Sequence, residues 1–385
     1  MMTMIKHADI IIIGGGVVGC SIAYNLAKAG AGQVVVLERG YLASGATGRC
    51  GAGVRMQWGT ETNCLLARES VKILENLPAM LEIEDDIEFK QGGYLLLAYT
   101  SKMVEQFKKN LQLQASLAIP ACWVSPEQAK EIVPYLNIQG LLGATFCPKD
   151  GHANPFKVTS LYAKAAARLG VKFYTYTEVT GLTVKAGKVS TVHTDKGDIA
   201  TNTVINAAGG YAKTIGRMAG IELPIFPERH EILVTEPVAP LQIPMVMSFY
   251  HNLYCQQTPH GSFIMGIGHP DEPESFNTQA SWRFLTEMAE RITTILPPLA
   301  KLNVIRQWAG LYDMCPDRTP ILGEDSNVQG FYTAAGFSGH GFMIAPMVGK
   351  LIAQTIMGLP TDIPINAFSA DRFVRGQLYV EPSVV

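Results

Sequence analysis

The sequence predicts an α/β fold, α+β overall, on three observations. A short β-branched run, Ala8-Asp9-Ile10-Ile11-Ile12-Ile13, passes directly into Gly14-Gly15-Gly16-Val17-Val18-Gly19. A stretch of helical periodicity, Cys20 to Gly30, follows and stops at a glycine. A second apolar run, Gln33 to Glu38, ends in an acid nineteen residues after Gly19. Strand, glycine turn, helix and strand in this order form the Rossmann-like βαβ unit.

The remaining elements follow in chain order. Residues 44–53, Ser-Gly-Ala-Thr-Gly-Arg-Cys-Gly-Ala-Gly, have little side chain and permit close approach of the backbone to a ligand. The spacing predicts an amphipathic helix over Thr62 to Leu81 and a strand pair over Glu88 to Tyr99. Helices are predicted over Ser101 to Leu117, with Ser101 as N-cap, and over Pro155 to Gly170, capped by Asn154. Val171 to Ala200 alternates like strands, with a hairpin turn at Lys185-Ala-Gly-Lys188. Thr203-Val-Ile-Asn-Ala-Ala-Gly-Gly210 repeats the buried strand running into glycine. Residues 221–270 read as strands and loops, and Ser281 to Leu296 as a helix. Gly330 to Ala335 reads as a strand feeding Gly336-Phe-Ser-Gly-His-Gly341, with a helix from about Ala345 to Met357. No internal repeat or low-complexity linker interrupts this order.

Glycine-marked strand–helix turns occur at both ends and in the middle, so the cofactor domain is assembled from discontinuous segments. We expect residues 1–85, 150–218 and 322–385 to form it, and residues 86–149 and 219–321 to form a substrate domain.

Composition removes several classes of function. The chain has 385 residues, 48% hydrophobic and 17% charged, which excludes a disordered chain. A length of this order buries about three quarters of its unfolded surface. A formal charge of −2 leaves no basic excess for a phosphate backbone, so nucleic acid is not an expected partner. Seven cysteines are scattered without a C-x-x-C pair, which reads as reduced thiols and not as a zinc or iron–sulfur site. Ile10–Ile13 is too short for a signal peptide, and no stretch is long enough to span a bilayer. A cytoplasmic protein without a metal is expected.

Gly14-x-Gly16-x-x-Gly19 carries the first chemistry. Gly14 permits the tight turn, Gly16 lets a pyrophosphate approach, and Gly19 lets helix and strand pack closely. The helix N-terminus supplies amide donors and positive potential to a diphosphate. The Glu38 carboxylate suits a ribose diol and disfavours a 2′-phosphate. The fingerprint alone fits NAD or FAD.

Four spaced motifs go further: residues 44–53, residues 203–210, Gly310-Leu-Tyr-Asp-Met-Cys-Pro-Asp-Arg-Thr-Pro320, and Gly336-Phe-Ser-Gly-His-Gly-Phe342. With the fingerprint, they make the sequence resemble the FAD-dependent amino-acid oxidoreductases of the D-amino-acid oxidase, glycine oxidase and sarcosine oxidase family. The nearest likeness is to the β subunits of multimeric sarcosine oxidase and of dye-linked proline or hydroxyproline dehydrogenase. The resemblance covers nearly the whole chain. It implies a Rossmann-like FAD-binding domain joined to a substrate domain built on a large mixed β-sheet.

By position, the resemblance implies that Gly14, Gly15, Gly16, Val17, Val18 and Gly19 hold the diphosphate, and that Glu38 and Arg39 flank the adenosine ribose. Ser44, Gly45, Gly48, Arg49, Gly51, Ala52 and Gly53 would line the flavin. Val179 would meet the adenine, and Ala207, Ala208 and Gly209 would pack near the diphosphate. Gly336, Phe337, Ser338, Gly339, His340, Gly341 and Phe342 would approach the flavin pyrimidine edge, where backbone donors stabilise negative charge.

On the substrate side it implies Arg55, whose guanidinium fork suits a carboxylate, and Tyr254. His340 is expected to act mainly through its main chain. His230 is a weaker candidate for the site, and His152 and His251 read as loop histidines. Three positions depart from the monomeric sarcosine oxidases. Gly310 stands at the cysteine that bonds flavin, with Cys315 at a usual threonine, so FAD is expected to be non-covalent. Ile264 stands at the lysine tied to oxygen activation, which favours a dehydrogenase. Met343 replaces a second carboxylate-binding lysine.

The implied reaction oxidises a C–N bond of a small amino or imino acid by hydride transfer to flavin N5, giving an imine. The alternatives are oxidation of a 2-hydroxy acid or glycerol phosphate, or a non-catalytic flavin-binding electron-transfer subunit. Without a cysteine cluster, electrons would leave through a partner subunit, a quinone or a dye.

Overall fold

We describe a computed structural model over residues 4–241, 243–269 and 271–381. The strands form two large sheets and smaller ones. The first has six strands in the order Ile321–Glu324, Phe331–Ala335, Val204–Asn206, Ile10–Ile13, Val34–Leu37 and Lys172–Tyr174. All neighbours are parallel except the first pair. Ile10–Ile13 and Val34–Leu37 are buried at every residue, as strands covered on both faces must be.

One face is covered by the helices Val17–Lys28, Pro155–Arg168 and Gly341–Ile356. The first and last cross closely, because a Cβ at Gly349 would collide with Ser21. The other face is covered by an antiparallel sheet of Val179–Lys185, Lys188–Thr194 and Gly197–Ala200. Its Val179, Val192 and Ile199 pack on Ile11, Ile13 and Val35.

The second sheet is mixed and has eight strands. Its order is Val304–Met314, Phe226–Pro237, Ser262–Ile267, Leu253–Gln257, Met245–Ser248, Tyr94–Ala98, Gly143–Cys147 and Cys122–Val124. Only Met245–Ser248 and Tyr94–Ala98 run parallel. The helix Trp282–Ile295 packs on its outer face through Phe284, Met288, Ile292 and Ile295, a helical stripe. Ser281 caps this helix by accepting from Phe284 N. The inner face looks toward the glycine turns of the parallel sheet.

The structure corrects four local expectations. Residues 62–81 form two helices, Glu61–Glu75 and Leu77–Met80, because Asn76 leaves helical geometry and Pro78 begins the second. Residues 88–99 give one strand, Tyr94–Ala98, and not a pair; Gly93 turns the chain at φ +90° and upstream only Lys90 bridges His152. The cap of Ser101–Ser116 is Thr100, whose side chain accepts from Met103 N, and not Ser101. The last long helix starts at Gly341, not near Ala345, with Pro346 inside its second turn. Proline favours a first-turn position, which is why the sequence placed the start too late. Asn154 and the 185–188 hairpin stand where the sequence put them. Among the described residues, no helix is long and apolar enough to cross a membrane.

Candidate functional site

A cavity of about 350 Å³ runs between the two sheets. Its first wall is the glycine turn. Gly14 has φ +117°, where only glycine is unstrained, and a Cβ there would strike the Ala207 carbonyl. Gly16 is the N-cap of Val17–Lys28 and has no side chain with which to cap it. Thr47 Oγ1 takes one first-turn amide, Val17 N, at 3.1 Å. The remaining amide end, at Gly16, Val17 and Val18, borders the cavity and offers donors and positive potential to an anion.

Glu38 follows at the end of its strand. Its Oε2 accepts from Gly15 N at 2.8 Å and its Oε1 from Gly40 N at 2.7 Å and Ser44 Oγ at 3.3 Å. The carboxylate therefore folds the turn around itself, and one lone pair, on Oε2, remains for a hydroxyl. Arg39 lies flat over the Tyr211 ring, 3.6 Å from its centroid, and Tyr211 stacks on Phe276. Both Arg39 and Tyr211 border the cavity, as do Thr177, Glu178 and Val179. At Gly45 and Gly209 an added methyl would meet no atom within 4 Å, so the backbone there faces open space. Ala207 and Ala208 complete this part of the wall. An elongated, donor-rich cavity with a carboxylate at one end fits a dinucleotide.

The other end belongs to the mixed sheet and to the loop before the last long helix. Arg49 is tied across to that sheet: Nη1 donates to Ala309 O at 2.9 Å, and Trp308 Nε1 donates to Arg49 O at 3.0 Å. Tyr254 stands in the wall, its ring against Gly51 and its hydroxyl against Gly266. Burial pushes its phenol well above the usual range. Asp313 Oδ2 accepts from Gly336 N at 2.7 Å, and Asp313 O accepts from Ser338 N at 3.0 Å. This carboxylate fixes the 336–342 loop, and burial pushes it up to about 6. Phe337, Gly339, Gly341 and Phe342 of that loop border the cavity.

The structure thus brings Gly14, Gly16, Val17, Val18, Glu38, Arg39, Ser44, Gly45, Arg49, Val179, Ala207, Ala208, Gly209, Tyr254 and those four loop residues to one cavity. Others stand behind the wall. Gly15 packs on Leu42 and Glu38, Gly19 on the Gly14 carbonyl, and Gly48 on Ala43 and Phe156. Gly51 packs on Tyr254, Gly53 on Tyr94, and Gly336 on Cys315. Ala52 and Ser338 are buried with positive φ, and Met343 belongs to the core beneath the last helix.

Arg55 and His340 also lie behind the wall. The Arg55 guanidinium stacks on Trp58 at 3.8 Å and donates to Gln57 O at 2.9 Å. Burial lowers its pKa although Tyr94, Glu381 and Asp150 oppose the shift. The His340 ring lies 4.6 Å from Trp58. Among the described residues its two nitrogens have no partner, and burial with Arg55 beside it pushes it down to about 3, so it is neutral. Asp150 accepts from Met56 N and Gln57 Nε2, and burial raises it to about 6.

The wall residues outside the sequence-based assignment include Thr47, Cys50, Tyr211, Tyr312 and Asp313. Tyr312 and Asp313 sit inside a motif that the sequence had flagged, so their signal was position within it. Thr47 carried none beyond its loop. His230, the weaker sequence candidate, is in the wall. Among the described residues, no cluster of His, Cys, Asp and Glu suits a metal ion.

Comparison with known proteins gives one consistent family. The model of the DAO family, FAD dependent oxidoreductase, matches residues 9–355. The sarcosine oxidase subunit beta of Arthrobacter sp. is 31% identical over 382 residues, spanning 98% of this chain and 93% of its own. The glycine oxidase of Geobacillus kaustophilus is 27% identical over 385 residues, 98% of this chain and all of its own. The crystal structure of L-proline dehydrogenase from P. horikoshii superposes with a TM-score of 0.92 at 39% identity, over 97% of this chain and 100% of that one.

Proposed function

This chain belongs to the DAO family of FAD-dependent oxidoreductases, and on that premise we propose that it oxidises a C–N bond of a small amino or imino acid, as a dehydrogenase. The observation that carries the reading is a single cavity. It joins a dinucleotide-shaped end to a sheet face bearing Tyr254, Tyr312 and His230. Relatives named for sarcosine, glycine and L-proline support an amine-bearing substrate.

FAD, when bound, supplies the oxidant that takes a hydride from the substrate carbon. The chain's own residues do the rest. The 14–19 turn and Glu38 hold the dinucleotide, and the 44–53 and 336–342 loops seat its reactive end. Tyr254 orients the substrate, and Arg55 acts from behind the wall as the positive charge that favours a carboxylate there. Because the amine must be neutral to release a hydride, reduction should quicken as pH rises through the bound amine's pKa.

Two finer points are part of the proposal. The chain holds FAD non-covalently: Gly310 is in the wall, and Cys315 is buried with its thiol on Thr319 O and Gly336 O. Cys50 does border the cavity, but burial pushes its thiol up to about 11, which leaves it a poor nucleophile at neutral pH. Acid precipitation should therefore leave all the yellow colour in the supernatant. Electrons leave to a partner, as the name of the Arthrobacter relative, a subunit, supports.

The test is an anaerobic absorption titration of the purified protein with sarcosine, glycine, L- and D-proline and hydroxyproline. Bleaching by one of them, with slow recovery in air, is expected. Bleaching only by a 2-hydroxy acid or glycerol phosphate, or by nothing, would overturn the reading.

A further inference from the structure

Glu228 and His230 stand two residues apart on the strand Phe226–Pro237, and so on one face of it. His230 Nε2 meets Glu228 Oε1 at 2.9 Å. An ionised carboxylate only accepts, so Nε2 carries the hydrogen and donates it. Nδ1 is then the nitrogen with the lone pair. The imidazole lies flat on the Tyr312 ring, with centroids 3.6 Å and planes 12° apart. Gly268 makes room for it, since a Cβ there would press on the imidazole Cε1.

The ring is therefore held by a carboxylate, a phenol and a missing side chain, and its own side chain is 10% exposed. Both rings border the cavity. Among the described residues, Nδ1 has no hydrogen-bond partner, yet it is not one of the sealed polar atoms.

The phenols and the thiol of this wall are poor proton acceptors near neutral pH. Tyr312 and Tyr254 are phenols raised by burial, and Cys50 is a thiol raised likewise. Asp313 is occupied by the Gly336 amide, and Arg49 is tied to Ala309 O. Imidazole is the side chain suited to proton exchange near neutrality.

We propose that His230, oriented by Glu228, accepts the proton of the substrate ammonium, an inference that rests on the amine-oxidising reading above. The proton passes from the substrate nitrogen to Nδ1, and the electron pair of that N–H bond stays on nitrogen. That pair forms the C=N bond as the neighbouring carbon gives up its hydrogen with two electrons to the oxidant the family carries. The proton on Nδ1 then leaves to solvent, while Nε2–H stays on Glu228. His230 is a catalytic residue in this scheme, and Glu228 is a positioning residue.

The test is anaerobic stopped-flow bleaching by the amine that reduces the unmodified holoenzyme, from pH 6 to pH 10, with His230→Gln and Glu228→Gln. FAD content and melting temperature are measured alongside. We expect His230→Gln to be about 100-fold slower at pH 7 and to recover to within a few-fold at pH 10, where the amine is neutral without help. Glu228→Gln keeps the shape of the pair and should move the midpoint of the profile upward with a smaller loss, so it reads the same proposal if His230→Gln does not hold FAD. An equal loss at every pH, or profiles like the unmodified protein's, would overturn the dyad alone. If no amine bleaches the unmodified protein, the functional reading fails first and the dyad falls with it.

Discussion

The two ends of the cavity are built from different materials. The dinucleotide end is backbone: Gly14, Gly16, Gly45 and Gly209 present peptide groups, and the Glu38 carboxylate is spent largely on its own turn. The substrate end is side chains carried on strands: His230, Tyr254 and Tyr312, with Asp313, Asp150, Arg55 and His340 buried on or behind the wall. The first end is closed to an added atom at Gly14, where two backbone segments meet, and carries little charge to titrate. The second is crowded with titratable groups held away from water. Steric change should therefore break the first end, and pH or charge change the second.

The largest effect expected is Gly14→Val. Its Cβ would strike the Ala207 carbonyl just past the neighbouring strand, and φ +117° is closed to a β-branched residue. The variant should purify colourless or not fold, with FAD affinity lowered by more than about 100-fold, equivalent to roughly 3 kcal/mol. The visible-to-ultraviolet absorbance ratio and a melting curve check this. A yellow variant of normal stability would mean that the turn is softer than the geometry says.

That contrast also explains what the sequence could show. Gly14 to Glu38 was legible because turn, helix and acid are contiguous, and each glycine answers a local steric demand. Asn154 as a cap was legible for the same reason. The substrate end depends on strand register: Glu228 lies opposite Tyr312, and Tyr254 opposite Gly266. No local pattern sets those partners across a long sequence gap. His230 could be named from sequence but not placed on Tyr312. Arg55 was named by resemblance, but its stacking on Trp58 behind the wall depends on a tertiary pocket closed by the C-terminal segment. There Glu381 accepts from Gly59 N and Thr60 N.

The next effect is on stability against pH. Burial raises Asp313 from 3.8 to about 6 and Asp150 from 3.8 to about 6. A group whose pKa is higher folded than unfolded stabilises the fold below its unfolded value and loses that contribution as pH rises through its folded value. For Asp313 the window runs from about pH 4 to about pH 6, and the upper bound of the change is about 3 kcal/mol. Asp313→Asn keeps an acceptor for Gly336 N and removes the charge. Denaturant melts should show the variant gaining on the unmodified protein across that window, by about 1–3 kcal/mol, and by a constant amount above it. Comparing the two proteins cancels the many carboxylates that titrate in the opposite sense, Asp317 among them. A difference that does not change with pH would mean that water reaches Asp313.

The smallest effect tests charge at the substrate end without removing any contact of the first. Ile264 lies opposite Gln256, two residues from Gly266, which lies opposite Tyr254. Directly paired residues of an antiparallel ladder share a face, so Ile264 belongs to the same inner face as Tyr254. The position therefore offers an alkyl group where oxygen reduction would profit from a cation, because the first electron to oxygen makes an anion in a dry site. Ile264→Lys should raise the rate of reoxidation in air by about tenfold, near 1.4 kcal/mol, and leave the anaerobic reduction rate within a few-fold. Stopped-flow recovery of the yellow colour measures it. The ammonium also has to be held charged in a half-buried place, and neutralisation by burial would hide the effect at high pH first. A gain that fades with rising pH is thus the signature of a working cation. No gain at any pH would remove Ile264 as a ground for proposing a dehydrogenase.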